Sequence, residues 1–491
     1  MSGMTLRNLK LVSALALPLV AAGCVTTEYS AVDSGFANAS MKSGQATGKQ
    51  TVWIQNQKQA QAVRDRVKAL MAKRTIDVET AVQVALLNNR NLQASYADLG
   101  DSAADAWQTQ LSVFPTFSVG LSGIATPGLE AYRVLEGAIA TNILALATYD
   151  RNIRIADNRF RQAQLNSAIA TVSLAAETRR AWINAVAAWE NVAYLNQAKN
   201  AADAASELAK KIGEAGSMPK AEQAREHVFY AELTGETAKA RLEAKLAKEE
   251  LIRLMGLAGS DINFQIPNRL PNLPKALIRR DDIEAEAIHK RMDLQVARLE
   301  LQATAQSYKL EDATRIVTDI ELVGTWEKER EREDGKILSD ISKTASLEFT
   351  IPIFDSGQAR LRKGELAYMR SANQLAALAV NVRSEARSAY VSYKSNYDIA
   401  RHYRNNVLPL RSAIEQQSML NYNGMITSTF ELIADSREKI DSTILAVNAK
   451  RDFWLAEANL APVVYGGSAG SGSAAAETEV ASAESAPAGG H

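Results

Sequence analysis

Small and apolar residues recur every three or four positions over long stretches of this chain, which is the spacing of packed helices. Residues 151–212 contain no glycine or proline, so this stretch fits a single helix of roughly 90 Å at 1.5 Å per residue. The recurring positions are Leu165, Ile169, Val172, Ala176, Ile183 and Val186, and later Leu375, Leu378, Val382, Ala386, Ala389 and Tyr393. This pattern predicts coiled-coil-like packing, although an ordinary helical bundle would show it too.

Four short segments depart from the helical period. The clearest is 344–353, where Leu347, Phe349 and Ile351 alternate with mostly polar residues, as in a strand with one apolar face. The predicted strands are 114–124, 143–149, 319–328 and 344–353. The charged run 327–336 between the last two predicts a solvated loop.

The chain carries an internal duplication. Asn91-Leu92-Gln93 recurs as Asp293-Leu294-Gln295, 202 positions later, and Gly216 recurs as Gly424, 208 positions later. Between them lie two further pairs in the same order, Tyr149-Asp150 with Phe354-Asp355 and Glu177 with Glu385. The sequence therefore predicts a mainly α fold with a small β part, built from two tandem repeats of helix, strand, strand, helix and helix.

Strand number limits how such a chain can meet a membrane. The smallest membrane barrels have about eight strands, and an open sheet edge in lipid leaves backbone groups unpaired. If the four predicted strands enter a membrane, several copies must share one barrel. Three copies would supply twelve strands.

The composition and motifs give no support for an enzyme, a metal site or nucleic-acid binding. The 56 basic and 56 acidic residues cancel, so no net field favours nucleic acid. The four histidines, His227, His289, His402 and His491, form no zinc-type spacing, and no nucleotide-binding or hydrolase motif is present. We therefore expect no enzyme activity, no catalytic residues, no metal and no cofactor.

The first residues read as a targeting signal. Arg7 and Lys10 precede an apolar run, 11–22, that is too short to span a membrane. Ala21-Ala22-Gly23 then leads to Cys24, the single cysteine. This segment resembles the lipobox of bacterial lipoproteins, although Ala21 stands where leucine is usual. The resemblance implies lipid attachment at Cys24 and an outer-membrane destination; ordinary signal cleavage is the alternative.

Breaks in composition divide the chain. The predicted parts are a lipoprotein signal peptide at 1–23, a tether with a short helix at 24–74, a first repeat at 75–266, a Pro-rich linker at 267–274, a second repeat at 275–465, and a disordered Gly/Ser/Ala-rich tail at 466–491. The short helix is expected at 53–73.

Three segments together resemble the TolC family of outer-membrane efflux channels. Residues 75–93 are similar to the family's first helix, and 351–357 resemble its strand-to-helix signature, with Ser356 as a departure. Tyr422-Asn423-Gly424, followed by 430–435, resembles the helical turn at the family's periplasmic tip. The resemblance extends over nearly all of 75–462.

The resemblance implies a homotrimer that combines a 12-stranded outer-membrane β-barrel with a long periplasmic α-helical barrel. Such a channel is a passive conduit of a tripartite efflux or type I secretion system. Its expected partners are a periplasmic adaptor (membrane fusion) protein, an inner-membrane transporter of the resistance-nodulation-division or ABC type, and outer-membrane lipid.

Two glycines and two carboxylates are the candidate functional residues. Gly216 and Gly424 are expected to form the periplasmic tip turns, both with positive φ available to them. Glu431 and Asp435 best match the family's entrance carboxylates and share a helix face, although a solvated outer face is equally consistent. The basic or tyrosine partners that hold some family members shut have no convincing match near Gly424.

Two other readings stay open at this point. A periplasmic adaptor lipoprotein would have one helical hairpin and extensive β domains, whereas this sequence has two helical copies. A non-channel coiled-coil envelope lipoprotein would leave the four predicted strands unexplained.

Overall fold

The computed structural model describes residues 29, 31–72, 75–124, 132–216, 218–333, 336–351, 356–424 and 426–467. Cys24 and the signal segment lie outside the described residues. The same holds for most of the strand-to-helix signature, 352–355, and for the tail from 468 onward.

Helices make up most of the described chain. They are α1 Phe36–Thr47, α2 Gln57–Met71, α3 Val78–Asn88, α4 Arg90–Leu111, α5 Ile143–Glu214, α6 Lys220–Met255, α7 Ile283–Lys290, α8 Met292–Ala313, α9 Gln358–His402, α10 Leu408–Asn423, α11 Thr429–Ala458 and α12 Leu460–Tyr465. A 3₁₀ turn occupies Gly259–Ile262, and a π-helical turn, Tyr403–Val407, separates α9 from α10. In that turn the N–H of Leu408 donates to the carbonyl of Tyr403, five residues earlier in the chain. Leu408 directly precedes Pro409.

The described strands form one antiparallel sheet. They are β1 Thr116–Ile124, β2 Tyr132–Asn142, β3 Asp319–Glu333 and β4 Lys336–Thr350. Their order is β1-β2-β3-β4, so β1 and β4 each have one neighbour within the described sheet. The mainly α fold with a small β part is therefore confirmed, and the element order repeats from α3 and from α7.

The strand predicted at 143–149 is wrong. That segment opens α5, and the second strand precedes it at Tyr132–Asn142. Asn142 decides the boundary, because its side chain accepts a hydrogen bond from the Ala145 N–H at 2.7 Å and caps the new helix. The Leu and Ala residues that follow are strong helix formers, which outweighs their apparent alternation.

The loop predicted at 327–336 is also wrong over most of its length. β3 continues to Glu333 and β4 already begins at Lys336. The register pairs the two strands throughout this charged stretch. The run alternates acidic and basic residues, and this period of two is the strand signal that its polarity concealed.

The described chain divides into two compact units. The first comprises Met1–Asn38, Ala97–Gln164 and Val296–Ala376 and holds the sheet; the second comprises Ala39–Tyr96, Leu165–Gln295 and Ala377–His491. In the second unit α3 is buried nearly all round, and the Trp182 indole N–H donates to the Ile76 carbonyl beside it at 3.0 Å. A helix that is apolar on every side belongs in a core.

The duplication is visible in matching helix breaks. Asn89 ends α3 with φ −66° and ψ 124°, and Arg291 ends α7 with φ −66° and ψ 120°. Both following helices, α4 and α8, are 22 residues long. Arg291 is almost completely buried and pairs with Asp293 at 2.9 Å and Glu385 at 2.5 Å.

The predicted tether at 24–74 is more ordered than expected. Residues 36–47 form α1, whose small residues Ala39 and Ser43 are buried. The segment after it is extended and is held by two glutamine side chains. Gln83 bonds both the N–H and the carbonyl of Gln50, and Gln93 bonds the Ile54 N–H and the Val52 carbonyl, both at 2.8 Å. Each side-chain amide accepts one backbone hydrogen bond and donates another, as the backbone of a paired strand residue does.

The Pro-rich stretch 267–274 is fixed in place rather than free. The Glu190 carboxylate, 2% exposed, accepts from the Leu270 N–H at 2.9 Å and from Lys450 Nζ at 2.8 Å. Trp454 and Tyr397 donate to the carbonyls of Pro271 and Pro274, each at 3.0 Å.

The first two residues of the predicted tail, 466 and 467, are part of the described structure. Gly466 and Gly467 are buried, and a side chain at Gly467 would meet the Ser173 backbone nitrogen at 3.0 Å.

Candidate functional site: helical turns and sheet

The two helical turns differ in backbone conformation. Gly216 has φ +75°, and its N–H closes the end of α5 on the Gly213 carbonyl at 3.0 Å. Gly424 has φ −84° and ψ 5°, so it does not use the positive φ that is available to glycine. The second turn is instead closed by the Ile426 N–H, which donates to the Asn421 carbonyl at 2.9 Å. Only the first turn therefore depends on glycine for its backbone angle.

The candidate entrance carboxylates have different surroundings. Glu431 is exposed in the first turn of α11, where Ser428 caps the helix through the Glu431 N–H at 3.4 Å. Asp435 is half-buried and accepts a hydrogen bond from the Ser418 hydroxyl of α10. Asp435 therefore links α10 to α11 by a hydrogen bond, and the side chain of Glu431 is the more exposed of the two carboxylates.

An arginine of the second helical hairpin, α10 and α11, contacts the first helical hairpin, α5 and α6. Arg437 of α11 pairs with Glu232 of α6 at 2.7 Å, and its guanidinium carbon lies 4.4 Å from the centre of the Phe229 ring. Sequence reasoning found no basic partner of this kind. Charge patterning gives no signal for it, because the two residues lie 205 positions apart.

A buried carboxylate lies near Arg437, in the seam between α6 and α11. Glu226 of α6 is 3% exposed, and its Oε2 makes no hydrogen bond within the described structure. Burial raises the pKa of this carboxyl, and the charge of Arg437 partly opposes that rise. An unpaired buried carboxylate is costly, which makes it a candidate for more than packing.

A cavity of about 410 Å³ separates the two hairpins beside the turns. Met218 and Tyr422, each close to one turn, both line it, and so does the Glu415–Lys439 ion pair. The rest of its lining is mainly alanine, leucine and isoleucine. Next to it, Leu195, Ala202, Phe229 and Leu233 form the apolar cluster on which Ile433 and Ile440 pack.

The sheet has one apolar and one polar face. Phe117, Val119 and Leu121 of β1 are 52%, 59% and 78% exposed, and Leu347 and Phe349 of β4 are 55% and 63% exposed. The register aligns these positions through β2 and β3, for example Phe117 with Ile139 and Leu322 with Leu347. The apolar residues thus share a face that nothing in the described chain covers.

The other face carries carboxylates in directly opposed pairs. Glu136 faces Glu327, Glu321 faces Glu348, and Glu329 faces Asp340 across the strands. Like charges placed opposite each other destabilise a sheet, so a surface with this composition needs water or counter-ions beside it.

The described residues contain neither a membrane-spanning helix nor a cluster of metal-ligating side chains. None of the helices in the described ranges is long and apolar enough to cross a membrane. Among the residues that the structure describes, no group of three or more His, Cys, Asp or Glu residues is arranged to hold a metal ion.

Comparison with solved structures identifies the fold. No family model and no curated protein sequence matches the chain. A membrane protein from Pseudomonas aeruginosa superposes with a TM-score of 0.70 at 16% identity, covering 80% of this chain and 95% of that one. The chain has the fold of the TolC-family outer-membrane channels.

Other channels with this TolC-family fold match similarly. The CmeC outer-membrane channel of Campylobacter jejuni has a TM-score of 0.66 at 15% identity, with 82% of this chain and 88% of that one covered. The outer-membrane protein VceC of Vibrio cholerae has a TM-score of 0.67 at 14% identity, with 79% and 96% covered. The likeness extends over about four fifths of this chain and therefore over more than one repeat.

Proposed function

We propose that this chain is the outer-membrane channel of a tripartite efflux or secretion system and that three copies build one channel. The observation that carries the proposal is the four-stranded sheet, which has an exposed apolar face and whose edge strands β1 and β4 pair on one side only with described residues. In lipid, each unpaired backbone group would cost several kcal/mol, so β4 of one copy has to pair with β1 of the next. Three copies close twelve strands.

The helices support assembly from several copies as well. Met369, Val380 and Val391 of α9 are 50%, 67% and 61% exposed and follow one another at intervals of eleven residues. Eleven residues make about three helical turns, so these side chains form one apolar row along the helix. Such a row is a contact surface for a neighbouring helix.

The proposed conduit performs no chemical step. The polar face of the sheet, with its opposed carboxylates, lines the passage, and the hairpin turns form the periplasmic entrance. Lipid attached at Cys24 anchors the chain to the outer membrane. An inner-membrane transporter of the resistance-nodulation-division or ABC type delivers the substrate through a periplasmic adaptor.

The adaptor is proposed to bind near the second turn. Leu420 and Ile426 are 64% and 75% exposed there, on either side of Gly424. A photo-crosslinking residue at Ile426 is expected to capture the adaptor in cells. The same residue at Leu246 of α6, which is equally apolar and 60% exposed, is the matched control.

Planar bilayers and native mass spectrometry test the central proposal. The purified protein should give discrete single-channel currents and a mass of three copies in detergent, with an acylated Cys24 at the mature N-terminus. A stable monomer without conductance would contradict the shared barrel and favour an adaptor or a coiled-coil lipoprotein. An unmodified N-terminus would refute the lipid anchor but not the proposed channel.

A further inference from the structure

Two lysines interrupt the apolar face of the sheet. Lys328 of β3 pairs with Ile341, and Lys343 of β4 pairs with Trp326. Because side chains in a strand alternate between faces, both lysines share the face of Phe117, Leu322 and Leu347. They are diagonal neighbours across β3 and β4.

Tryptophan marks this level of the sheet. Trp326 lies flat against Gly137 of β2, where a β-carbon would come within 2.2 Å of the indole nitrogen. From Ile320 to Trp326 the apolar face extends for roughly 20 Å at 3.3 Å per residue. Membrane barrels have an apolar band of about 25 Å that ends at aromatic residues. The lysines thus lie at the edge of the band away from Asp319, where β3 begins.

The carboxylates of the sheet cannot neutralise these lysines. Glu327, Glu329 and Asp340 lie at the same level but on the opposite face. Neither Lys328 nor Lys343 forms an ion pair with any residue that the structure describes. Among the described residues of the sheet, none supplies a counter-charge to the two lysines.

We propose that Lys328, Lys343 and Trp326 bind the phosphate group of an anionic lipid in the outer leaflet. The proposal rests on the membrane-embedded barrel proposed above. The lysine ammonium groups would contact the phosphate, the indole would lie at the head-group level, and the apolar residues below would contact the acyl chains. One such site would occur on each subunit.

Lipid retention by the trimer tests this site. The protein is placed in nanodiscs that contain equal amounts of phosphatidylglycerol and phosphatidylcholine with the same acyl chains. Native mass spectrometry then counts the lipids that stay bound. The wild-type protein should retain phosphatidylglycerol preferentially, and Lys328→Gln with Lys343→Gln should weaken this preference about thirtyfold, since each lysine near an anionic surface contributes about five- to sixfold.

The controls separate charge, source and fold. Lys328→Arg with Lys343→Arg should keep the preference, and so should Lys363→Gln on α9. An unchanged preference in the glutamine variant would refute the site. Displacement of the lipid by equimolar inorganic phosphate would show that the ligand is free phosphate and not a lipid. Conductance is recorded on the same preparation. Currents without lipid preference refute this inference alone, whereas a protein that does not insert refutes the barrel and the lipid site together.

Discussion

Arg437 and Glu232 connect the two copies of the repeat through an ion pair of 2.7 Å. The two side chains are 44% and 55% exposed, and a pair this accessible contributes roughly 0–1 kcal/mol by itself. Arg437 does more than Glu232, because it also covers the Phe229 ring and lowers the cost of the buried Glu226 charge.

Replacing the two partners should therefore have unequal effects. Glu232→Gln is expected to lower the free energy of unfolding by at most about 1 kcal/mol. Arg437→Gln should cost about 2 kcal/mol, because the cation–π contact is lost and Glu226 keeps no nearby positive charge. Denaturant unfolding in detergent measures both, and equal losses would show that Phe229 and Glu226 do not depend on Arg437.

Glu226 should make stability depend on pH in an unusual direction. Its folded pKa lies above its unfolded value of 4.5, so the folded state binds the proton more tightly. This contribution is complete below the unfolded pKa and is lost as the pH rises through the folded pKa. Glu226→Gln should raise the thermal midpoint at neutral pH, with the gain shrinking towards pH 4. The same gain at both pH values would point to packing instead of protonation.

The two turn glycines should respond differently to alanine. Gly216→Ala forces a side chain into φ +75° and should cost about 1 kcal/mol or more. Gly424→Ala is expected to be nearly neutral, since φ is −84° and the new carbon meets its neighbours at 3.5 Å. Thermal unfolding compares the two variants. A larger loss at Gly424 would mean that the second turn adopts another conformation in the assembled protein.

Neighbouring positions of β4 offer a test of the membrane-facing side. Leu347→Arg places a charge on the apolar face and should cost about 2–4 kcal/mol in a bilayer. Ser346→Arg places the same side chain on the polar face and should leave the trimer intact. Trimer yield from membranes is the measurement. If both variants assemble equally well, the apolar face does not contact lipid.

Two half-buried lysines should differ in importance, because the carboxylate partner of Lys450 is buried and that of Lys439 is not. Lys450→Met leaves the 2%-exposed Glu190 carboxylate without its counter-charge and should cost about 3–5 kcal/mol. Lys439→Met breaks the more accessible pair with Glu415 and should cost about 1 kcal/mol or less. Proteolysis within 267–274 provides a second readout, since Glu190 and Lys450 hold Leu270 in place. Similar effects of the two variants would contradict this role for Glu190.

Periodicity predicted the helices well, because a long uninterrupted α5 has little choice of conformation. It predicted strands less well. At Ile143 the apolar alternation was accidental and the cap at Asn142 decided the structure, whereas at Glu327 the alternation was real but carried by charges. The positions of the two helical turns followed from the duplication. Arg437 and Glu226 did not, because a seam between helices depends on which faces meet and not on any local pattern.

The π-helical turn at Tyr403–Val407 makes the two copies unequal in a way that residue spacing conceals. Glu177 and Glu385 before it, and Gly216 and Gly424 after it, are both 208 positions apart. A π turn takes up one more residue than an α turn, so side chains beyond it are rotated by about 100° relative to an unbroken helix such as α5. Residues matched by offset past Val407 therefore point in different azimuthal directions. A substitution past this turn in one copy of the repeat therefore gives no guide to the effect of a substitution at the matching offset in the other copy.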